Sequence, residues 1–233
     1  MWKRKLLFGL LSGALALAFA GSASALTWGI DEDVLVQAGD NVDEGAGELG
    51  WAAHGYNSLT ITGGYLEPDR IYSGGGENPA HTAIDISGGE LNVNLSPLGY
   101  YAGTTTTVNM SGGIWDNAGL FSFAGNGDVT FNMSGGNLHL GNYLYMPGDG
   151  TVSGRGYANP SNGSLNFSGG VITIDEDWSA ANGNILGQAW FNDMTGGAAA
   201  TWDGSVTTVI PEPATLCLLG LGGGLLLKRK RKC

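Results

Sequence analysis

Cationic residues and cysteine are scarce in the long middle part of this chain. Residues 26–208 contain no cysteine and no lysine, and Arg70 and Arg155 are their only arginines. The same stretch carries 20 of the 21 acidic residues, so 2 cations face 20 carboxylates and the formal charge is −18. A nucleic-acid binder needs a basic patch to neutralise phosphates, so we exclude nucleic acid as a partner. Without disulfides, stability has to come from packing and backbone pairing.

Recognisable catalytic motifs are missing as well. The three histidines are scattered, and no HExxH, CxxC or GxSxG pattern occurs. A polysaccharide lyase would need basic residues for proton abstraction and uronate binding, and a hydrolase would need two or three carboxylates on one face. The carboxylates that could serve are Asp85, Asp116, Asp128 and Asp193. No local motif distinguishes them, so we expect that the protein is not an enzyme and assign no catalytic residue.

Two short acidic runs, at residues 31–33 and 175–177, are the strongest candidates for metal binding. Oxygen-rich clusters suit Ca²⁺. Neither run fits an EF-hand loop or the glycine-rich Ca²⁺-binding nonapeptide. We interpret both as solvated turns or strand ends and predict no cofactor and no metal site, with weak Ca²⁺ binding as the alternative.

Residues 1–25 have the three parts of a secretory signal peptide. A basic stretch, Lys3 to Lys5, precedes an apolar run from Leu6 to Ala20. Ala23 and Ala25 then form an A-x-A cleavage site, which predicts a mature chain that begins at Leu26. The alternative is an uncleaved N-terminal anchor. Export through the secretion translocon follows from the first interpretation.

Residues 209–233 differ in composition from the acidic middle. Pro211 and Pro213 lack N–H groups, so we expect the chain to leave the folded body at this point. An apolar run from Ala214 to Leu227 follows. It is shorter than the roughly 20 residues of a full membrane span, but flanking cations can snorkel and extend it. The basic residues are Lys228, Arg229, Lys230, Arg231 and Lys232. We predict a short transmembrane helix that contacts membrane lipid, against a buried C-terminal helix as the alternative.

This order of a proline-rich turn, an apolar run and a basic cluster resembles the PEP-CTERM sorting signal of Gram-negative bacteria. The residues that carry the motif are Ile210, Pro211, Glu212, Pro213, Ala214 and Thr215. The resemblance implies recognition by exosortase, a membrane-embedded processing enzyme. It also implies export across the inner membrane to the cell envelope or to an extracellular polysaccharide matrix, with the C-terminal helix as a transient or stable anchor.

A Ser/Thr-Gly-Gly triplet recurs six times in the middle of the chain. The first glycines of the triplets are Gly63, Gly88, Gly112, Gly135, Gly169 and Gly196, so the spacings between them run 25, 24, 23, 34 and 27. Apolar and polar residues alternate around each triplet, as in a strand with one buried face. Three short strands with tight turns between them would account for a spacing near 24. The spacing of 34 predicts a projecting loop of about ten residues within 146–163.

The repeat predicts an all-β protein, a right-handed parallel β-helix of about six coils with roughly 24 residues each. A signal helix and a C-terminal membrane helix would flank it. We divide the chain into a signal peptide (1–25), an N-terminal cap region (26–58), a β-helical passenger (59–208) and the sorting signal (209–233). The alternative fold is a β-sandwich or jelly roll, which does not by itself predict so constant a spacing.

The position three residues before each first glycine is polar. Its occupants are Thr60, Asp85, Asn109, Asn132, Asn166 and Asp193. In a stacked register they form one row, and we predict a structural ladder at Asn109, Asn132 and Asn166, because stacked asparagines bond to one another in cross-β structures. The alternative is that these asparagines only mark the solvent face of a hairpin strand.

These features together predict an exported, exosortase-sorted protein with a structural or adhesive role in the envelope or exopolysaccharide matrix. The alternative is a polysaccharide-binding or polysaccharide-degrading β-helix. Binding of ice or a crystalline surface through a threonine-rich face, suggested by the run 104–107, is a weaker option.

Overall fold

The computed structural model describes residues 33–43, 48–49, 55–73, 80–99, 102–123, 127–141, 143–145 and 163–212. Strands make up most of these segments. Only Ile185–Gly187, a single 3₁₀ turn, is helical within them. The predicted signal helix and C-terminal membrane helix lie outside the described residues, as does the projecting loop predicted at 146–163 except for Gly163, the first residue of β12.

In the part of the chain that the structure describes, five long strands dominate the fold, and ten shorter strands accompany them. In chain order the strands are β1 (Asp33–Val36), β2 (Asn41–Asp43), β3 (Glu48–Leu49), β4 (Gly55–Glu67), β5 (Arg70–Ile71), β6 (Ala80–Val93), β7 (Ser96–Pro97), β8 (Thr105–Asn117), β9 (Leu120–Ser122), β10 (Asp128–Leu140), β11 (Tyr143–Tyr145), β12 (Gly163–Ile174), β13 (Phe191–Asp193), β14 (Ala198–Trp202) and β15 (Thr207–Pro211). The long strands are β4, β6, β8, β10 and β12.

The five long strands stack in sequence order and pair in parallel. β4 pairs with β6, β6 with β8, β8 with β10, and β10 with β12. A parallel pair needs a connection that returns the chain to the same end of the sheet, and here each connection is the rest of one coil. The result is a β-solenoid of about five turns, which confirms the all-β prediction. The parallel pairing rules out the sandwich alternative, and the right hand of the coils stays a prediction.

Each long strand bends at its Gly-Gly pair, which lies in the middle of the strand rather than at its end. We call the residues before the pair the first arm and those after it the second arm. The second glycine of every pair has a positive φ, for example +74° at Gly113 and +82° at Gly136. A Cβ at Gly136 would lie 2.7 Å from the carbonyl oxygen of Gly112 in the coil below. Glycine is therefore required twice over, by the backbone conformation and by the close approach of the coils.

A third strand segment follows each of the long strands β4, β6, β8 and β10. The short strands β7, β9 and β11 pair in parallel in a second sheet, and a single parallel bridge between Arg70 and Leu95 joins β5 to that stack. The prediction of three short strands per coil corresponds to these two arms and one short strand.

The core lies inside the coils and is built by alternation along each arm. In β8, Val108 and Met110 are buried, whereas Thr107 and Asn109 between and beside them are exposed. Equivalent positions stack from coil to coil, so each apolar side chain packs on its counterparts above and below. One inward column is Leu59, Ile84, Val108, Phe131, Leu165 and Phe191. Aromatic contacts link the layers, such as Trp115 with Phe131 at a ring-centroid distance of 5.8 Å.

The region predicted as an N-terminal cap begins the solenoid itself. β1 and β2 pair in parallel with the first and second arms of β4. A turn at 37–40, with Gly39 at a φ of +97°, stands where later coils have the Gly-Gly bend. β4 begins at Gly55, ahead of the first triplet.

The prediction of six coils is wrong at the C-terminal end. The sixth triplet follows β13, which pairs in parallel with β12 over only three residues. Here the first glycine, Gly196, takes the positive φ of +81°, and a Cβ there would contact nothing within 4 Å, so this pair does not stack on a coil below. The chain reverses instead. β14 and β15 form an antiparallel hairpin, and β15 also pairs antiparallel with the second arm of β12.

Candidate functional site

The first residues of the predicted sorting motif belong to the folded body. β15 (Thr207–Pro211) lies between β12 and β14, and Val209 is fully buried opposite Ile172 and Ala200. The strand thus extends three residues beyond the boundary at Thr208 drawn from the sequence. Pro211 pairs with Ala198 of β14 only, because the β12 pairing ends at Val209, so its missing N–H breaks no bond to β12. The backbone N–H of Glu212 then donates to the Gly197 carbonyl oxygen at 2.5 Å.

Buried hydrogen bonds hold the beginning of β15. The Thr207 hydroxyl accepts from the Trp178 backbone N–H at 2.8 Å and donates to the Glu176 carbonyl oxygen at 2.6 Å. Thr207 is fully buried, so losing either partner would leave a costly unsatisfied group. The strand that carries the start of the motif is therefore fixed at both ends.

Two aspartates shape the turns around the β14–β15 hairpin. Asp203 accepts the backbone N–H groups of Val206 and Ser205, both at 2.9 Å, and these bonds lower its pKa from the ordinary value. Burial pushes the pKa of Asp193 up, but hydrogen bonds from the Thr195 side chain, its N–H and the Ala198 N–H outweigh burial and lower that pKa. The dipeptide Asp203-Gly204 is a strong hairpin signal that could have revealed this hairpin from the sequence.

A ladder of side-chain amides follows the first arms. Asn109 donates to Asp85 at 2.7 Å, Asn132 to Asn109 at 2.9 Å, and Asn166 to Asn132 at 2.8 Å. The top of the row is Asn192, which donates to Asn166 at 2.8 Å, rather than the predicted Asp193. The register explains the difference, because Asn192 lies opposite Asn166 and Asp193 lies opposite the buried Phe167.

The ladder is the middle column of a polar face on the outer side of the first arms. One flanking column consists of Ser58, Ala83, Thr107, Thr130 and Ser164. The other consists of the exposed residues before each Gly-Gly pair, namely Thr62, Ser87, Ser111, Ser134 and Ser168. From β4 to β12 the three columns consist of described residues, and Asp85 carries the only charge among them. The coil spacing of about 4.8 Å therefore repeats small hydroxyl and amide groups over a regular surface.

Charged side chains meet on the second arms instead. His139 Nε2 lies 3.6 Å from Asp175 Oδ2 and 3.9 Å from Asp116 Oδ1, and Nδ1 lies 2.9 Å from Thr173 Oγ1. The two carboxylate distances exceed those of a hydrogen bond. Each of the three charged side chains is about a third exposed or more. This arrangement can form ion pairs when His139 is protonated but does not have the contacts of a Ser-His-acid triad.

The four carboxylates that the sequence offered for catalysis are not brought together. They occupy different register positions: Asp85 lies opposite Asn109, Asp116 opposite Asn92 and His139, Asp128 opposite Thr105, and Asp193 opposite Phe167. In the run 175–177, Asp177 accepts from the Ser179 N–H and hydroxyl, as in a turn. Within the described residues no three His, Cys, Asp or Glu side chains form a group that could hold a metal ion.

The other residues predicted for sorting lie outside the described residues. They are Ala23 and Ala25 of the cleavage site, Pro213, Ala214 and Thr215 of the motif, and the basic residues 228–232. Across the segments that the structure describes, no helix combines the length and apolar character needed to cross a membrane.

Comparison with known proteins identifies the tail. Residues 209–232 match the family model for the PEP-CTERM protein-sorting motif. The chain thus carries this motif, as the sequence predicted, and the motif indicates an exported protein that exosortase sorts to the cell envelope. No curated protein and no solved structure is similar enough to count as a match.

Proposed function

We propose that this protein is a non-enzymatic structural or adhesive component of the cell envelope or of the extracellular polysaccharide matrix. Exosortase delivers it there, and the solenoid is the part that stays and acts. The observation that carries the proposal is the direct connection of the sorting motif at 209–232 to a regular solenoid. A sorting signal on a rigid repeat body suits a protein whose role is to occupy a surface or matrix.

The charge distribution supports this role. If both end segments are removed, residues 26–212 retain 2 cations and 21 acidic residues, a formal charge of −19. A body of this charge stays soluble and avoids association with polyanions. It therefore suits a hydrated matrix of uncharged polymers better than an acidic one.

Fractionation of cells that carry exosortase tests the sorting step. A chain with an epitope tag after Leu26 should appear in the outer envelope or matrix, whereas the same chain without residues 213–233 should not be retained there. The deletion should begin at residue 213 because one that began at residue 209 would also remove the buried Val209. Identical fractionation of the two chains would contradict the proposal.

A second candidate function is binding of a neutral polysaccharide through the polar face of the first arms. Its support is the three columns of hydroxyl and amide groups with one charge among them. Small side chains in register let a flat polymer approach closely, and hydroxyl and amide groups can exchange hydrogen bonds with sugars. Nothing in this surface favours an acidic polysaccharide.

Binding of the purified body to insoluble neutral polysaccharide would test this second candidate. Replacing Thr107 and Thr130 by tyrosine would raise bulky side chains from the face and should reduce retention. The matched control is Asn137→Tyr, which changes an exposed residue on the second arm of the same solenoid. Equal retention of all three proteins would reject the face as a binding surface, and release of soluble sugar would contradict the non-enzymatic role.

A further inference from the structure

The start of the sorting motif and the last strand of the body are the same residues. Val209, Ile210 and Pro211 are matched by the family model and are also the second half of β15. Their partners are β14 on one side and, up to Val209, β12 on the other. Glu212 is still bonded to the body through its backbone N–H. Within the described part of the chain, no linker separates the folded body from the start of the segment that exosortase handles.

This geometry restricts which peptide bonds can be cut. An enzyme that cleaves a peptide bond has to surround the scissile backbone, and a substrate strand often pairs with the enzyme as an added strand. The backbone of residues 207–211 is already paired within the sheet. Releasing it would pull Val209 out of the core and break the buried bonds of Thr207. Cleavage of a peptide bond beyond Glu212 would not require any described strand of the body to be released.

We propose that exosortase cuts this chain on the carboxyl side of Glu212, so that β15 stays in the body. In the step, the bond between a backbone carbonyl carbon and the next nitrogen breaks. The carbonyl is transferred to water or to an amine acceptor, and the nitrogen takes a proton and leaves as the amino terminus of the released tail. This inference rests on the proposed function, because it assumes that exosortase processes the chain.

The C terminus of the processed protein provides the direct test. The tagged full-length chain is isolated from cells with exosortase, and its C-terminal peptide is determined by mass spectrometry, with cells lacking exosortase as the control. The last retained residue should be Glu212 or a later one. A C terminus at Pro211 or earlier would overturn this inference alone, whereas an unprocessed chain in both strains would overturn the proposed function with it.

Limited proteolysis of the purified full-length chain tests the protection without exosortase. With a broad-specificity protease, cuts in the C-terminal region should fall beyond Glu212. Val209→Asn places an amide at a fully buried position and should unseat β15, so that bonds 207–212 are cut on the order of tenfold faster or more. Thr208→Asn is the matched control, because it makes the same replacement at the neighbouring, half-buried position.

The result that would overturn the inference is cutting within 207–212 in the unchanged chain at the rate seen for Val209→Asn. If Val209→Asn unfolds the whole body, cuts will appear throughout the five long strands as well, and the cleavage map of the unchanged chain then decides by itself.

Discussion

At the scale of single residues, the fold depends on glycines that no other residue can replace and on amides that bond in a row. The glycines are packed between coils, and the amides lie on the surface. The second glycine of each pair is pressed against the coil below, whereas Asn109 and Asn192 of the ladder face solvent. Replacements at the glycines should therefore cost more than replacements in the ladder.

A pair of glycine replacements separates the two demands on Gly136. Gly136 and Gly103 have nearly equal φ values of +82° and +81°, but of the two only Gly136 would bring a Cβ against neighbouring backbone, the nearest atom at 2.7 Å. Both Gly→Ala variants should therefore suffer the conformational strain. Gly136→Ala should lose about 2 kcal/mol more of the unfolding free energy because of overpacking. Denaturant unfolding measures the difference, and equal losses would argue against tight coil stacking.

The ladder predicts a smaller effect at its centre. Asn132 donates to Asn109 and accepts from Asn166. Asn132→Asp removes the donor and keeps the acceptor, so the variant should lose about 1 kcal/mol of stability. Thr107→Ala, an exposed replacement in the neighbouring column, is the control and should change stability little. If Asn132→Asp left the free energy of unfolding unchanged, the ladder would fix the alignment of the coils without adding measurable stability.

The lowered pKa of Asp193 predicts a pH dependence of the turn between β13 and β14. The pKa of Asp193 is lowered in the folded protein. The ionised Asp193 therefore contributes fully to stability above the ordinary aspartate pKa of about 3.9. This contribution is lost as the pH falls through the lower pKa that Asp193 has in the folded protein. Hydrogen exchange of the Thr195 and Ala198 amides should accelerate relative to the ladder strands below about pH 4. Asp193→Asn should abolish this difference.

At the scale of elements, part of the structure follows from the sequence and part does not. The constant triplet spacing and the alternation in Val108-Asn109-Met110 predict stacked parallel arms, because every coil buries the same positions. The position of the bend inside a strand does not follow, since it depends on which of two glycines takes the positive φ. The last triplet shows the difficulty, because Ser/Thr-Gly-Gly recurs there, but β14, the strand after it, does not pair with β12 and is separated from it by the antiparallel β15.

The candidate site illustrates the same limit. The motif at 210–215 is visible in the sequence, since its order of residue types is specific. Its attachment to the sheet is not visible in the sequence, because a proline normally argues against a strand. Pro211 is tolerated since β15 has no partner on the β12 side beyond Val209, and the sequence does not show this. Asn192 was missed in favour of Asp193 for a similar reason, since the last triplet lies one residue farther from its ladder position than Gly169 does from Asn166.

Removal of one complete coil should preserve the fold. Deleting Asn92–Trp115 joins Leu91 to Asp116, which is the register partner of the removed Asn92. The ladder should close again, with Asn132 facing Asp85. Circular dichroism and small-angle scattering should show a shorter β-protein. Deleting Asn92–Asp116 is the control, because one extra residue turns inward side chains outward and should prevent folding.

At the scale of the whole molecule, the chain joins an acidic solenoid to a sorting tail that carries half of its cations. Five of the ten Lys and Arg residues lie at 228–232. Cleavage between Glu212 and Lys228 would release all five together, and once the signal peptide is removed as well the product would keep only Arg70 and Arg155 as cations. Processing would thus change the surface charge in one step.

Replacement of Pro211-Glu212-Pro213 by three alanines tests the tail as a signal. The body should keep its fold, because Pro211 contributes no N–H to the sheet and alanine is tolerated at the end of a strand. The replacement leaves the apolar run 214–227 unchanged, so membrane insertion, if that run forms the predicted helix, should persist, whereas processing should stop. Immunoblotting of the tagged chain distinguishes the processed from the unprocessed chain by size. Unchanged processing would show that exosortase does not recognise the motif.

The antiparallel hairpin at the end of the stack has a mechanical consequence. A pull on the C-terminal end of the body first reaches β15, which is paired on both sides, and only then the parallel coils. Beyond that hairpin, each coil contacts only its neighbours in the stack, through parallel strand pairs and the amide ladder, so it can detach as a unit. Each detached coil would add about 24 residues of slack, on the order of 80 Å of extended chain. A body of this kind would lengthen under force in successive steps, one for each coil, instead of unfolding all at once.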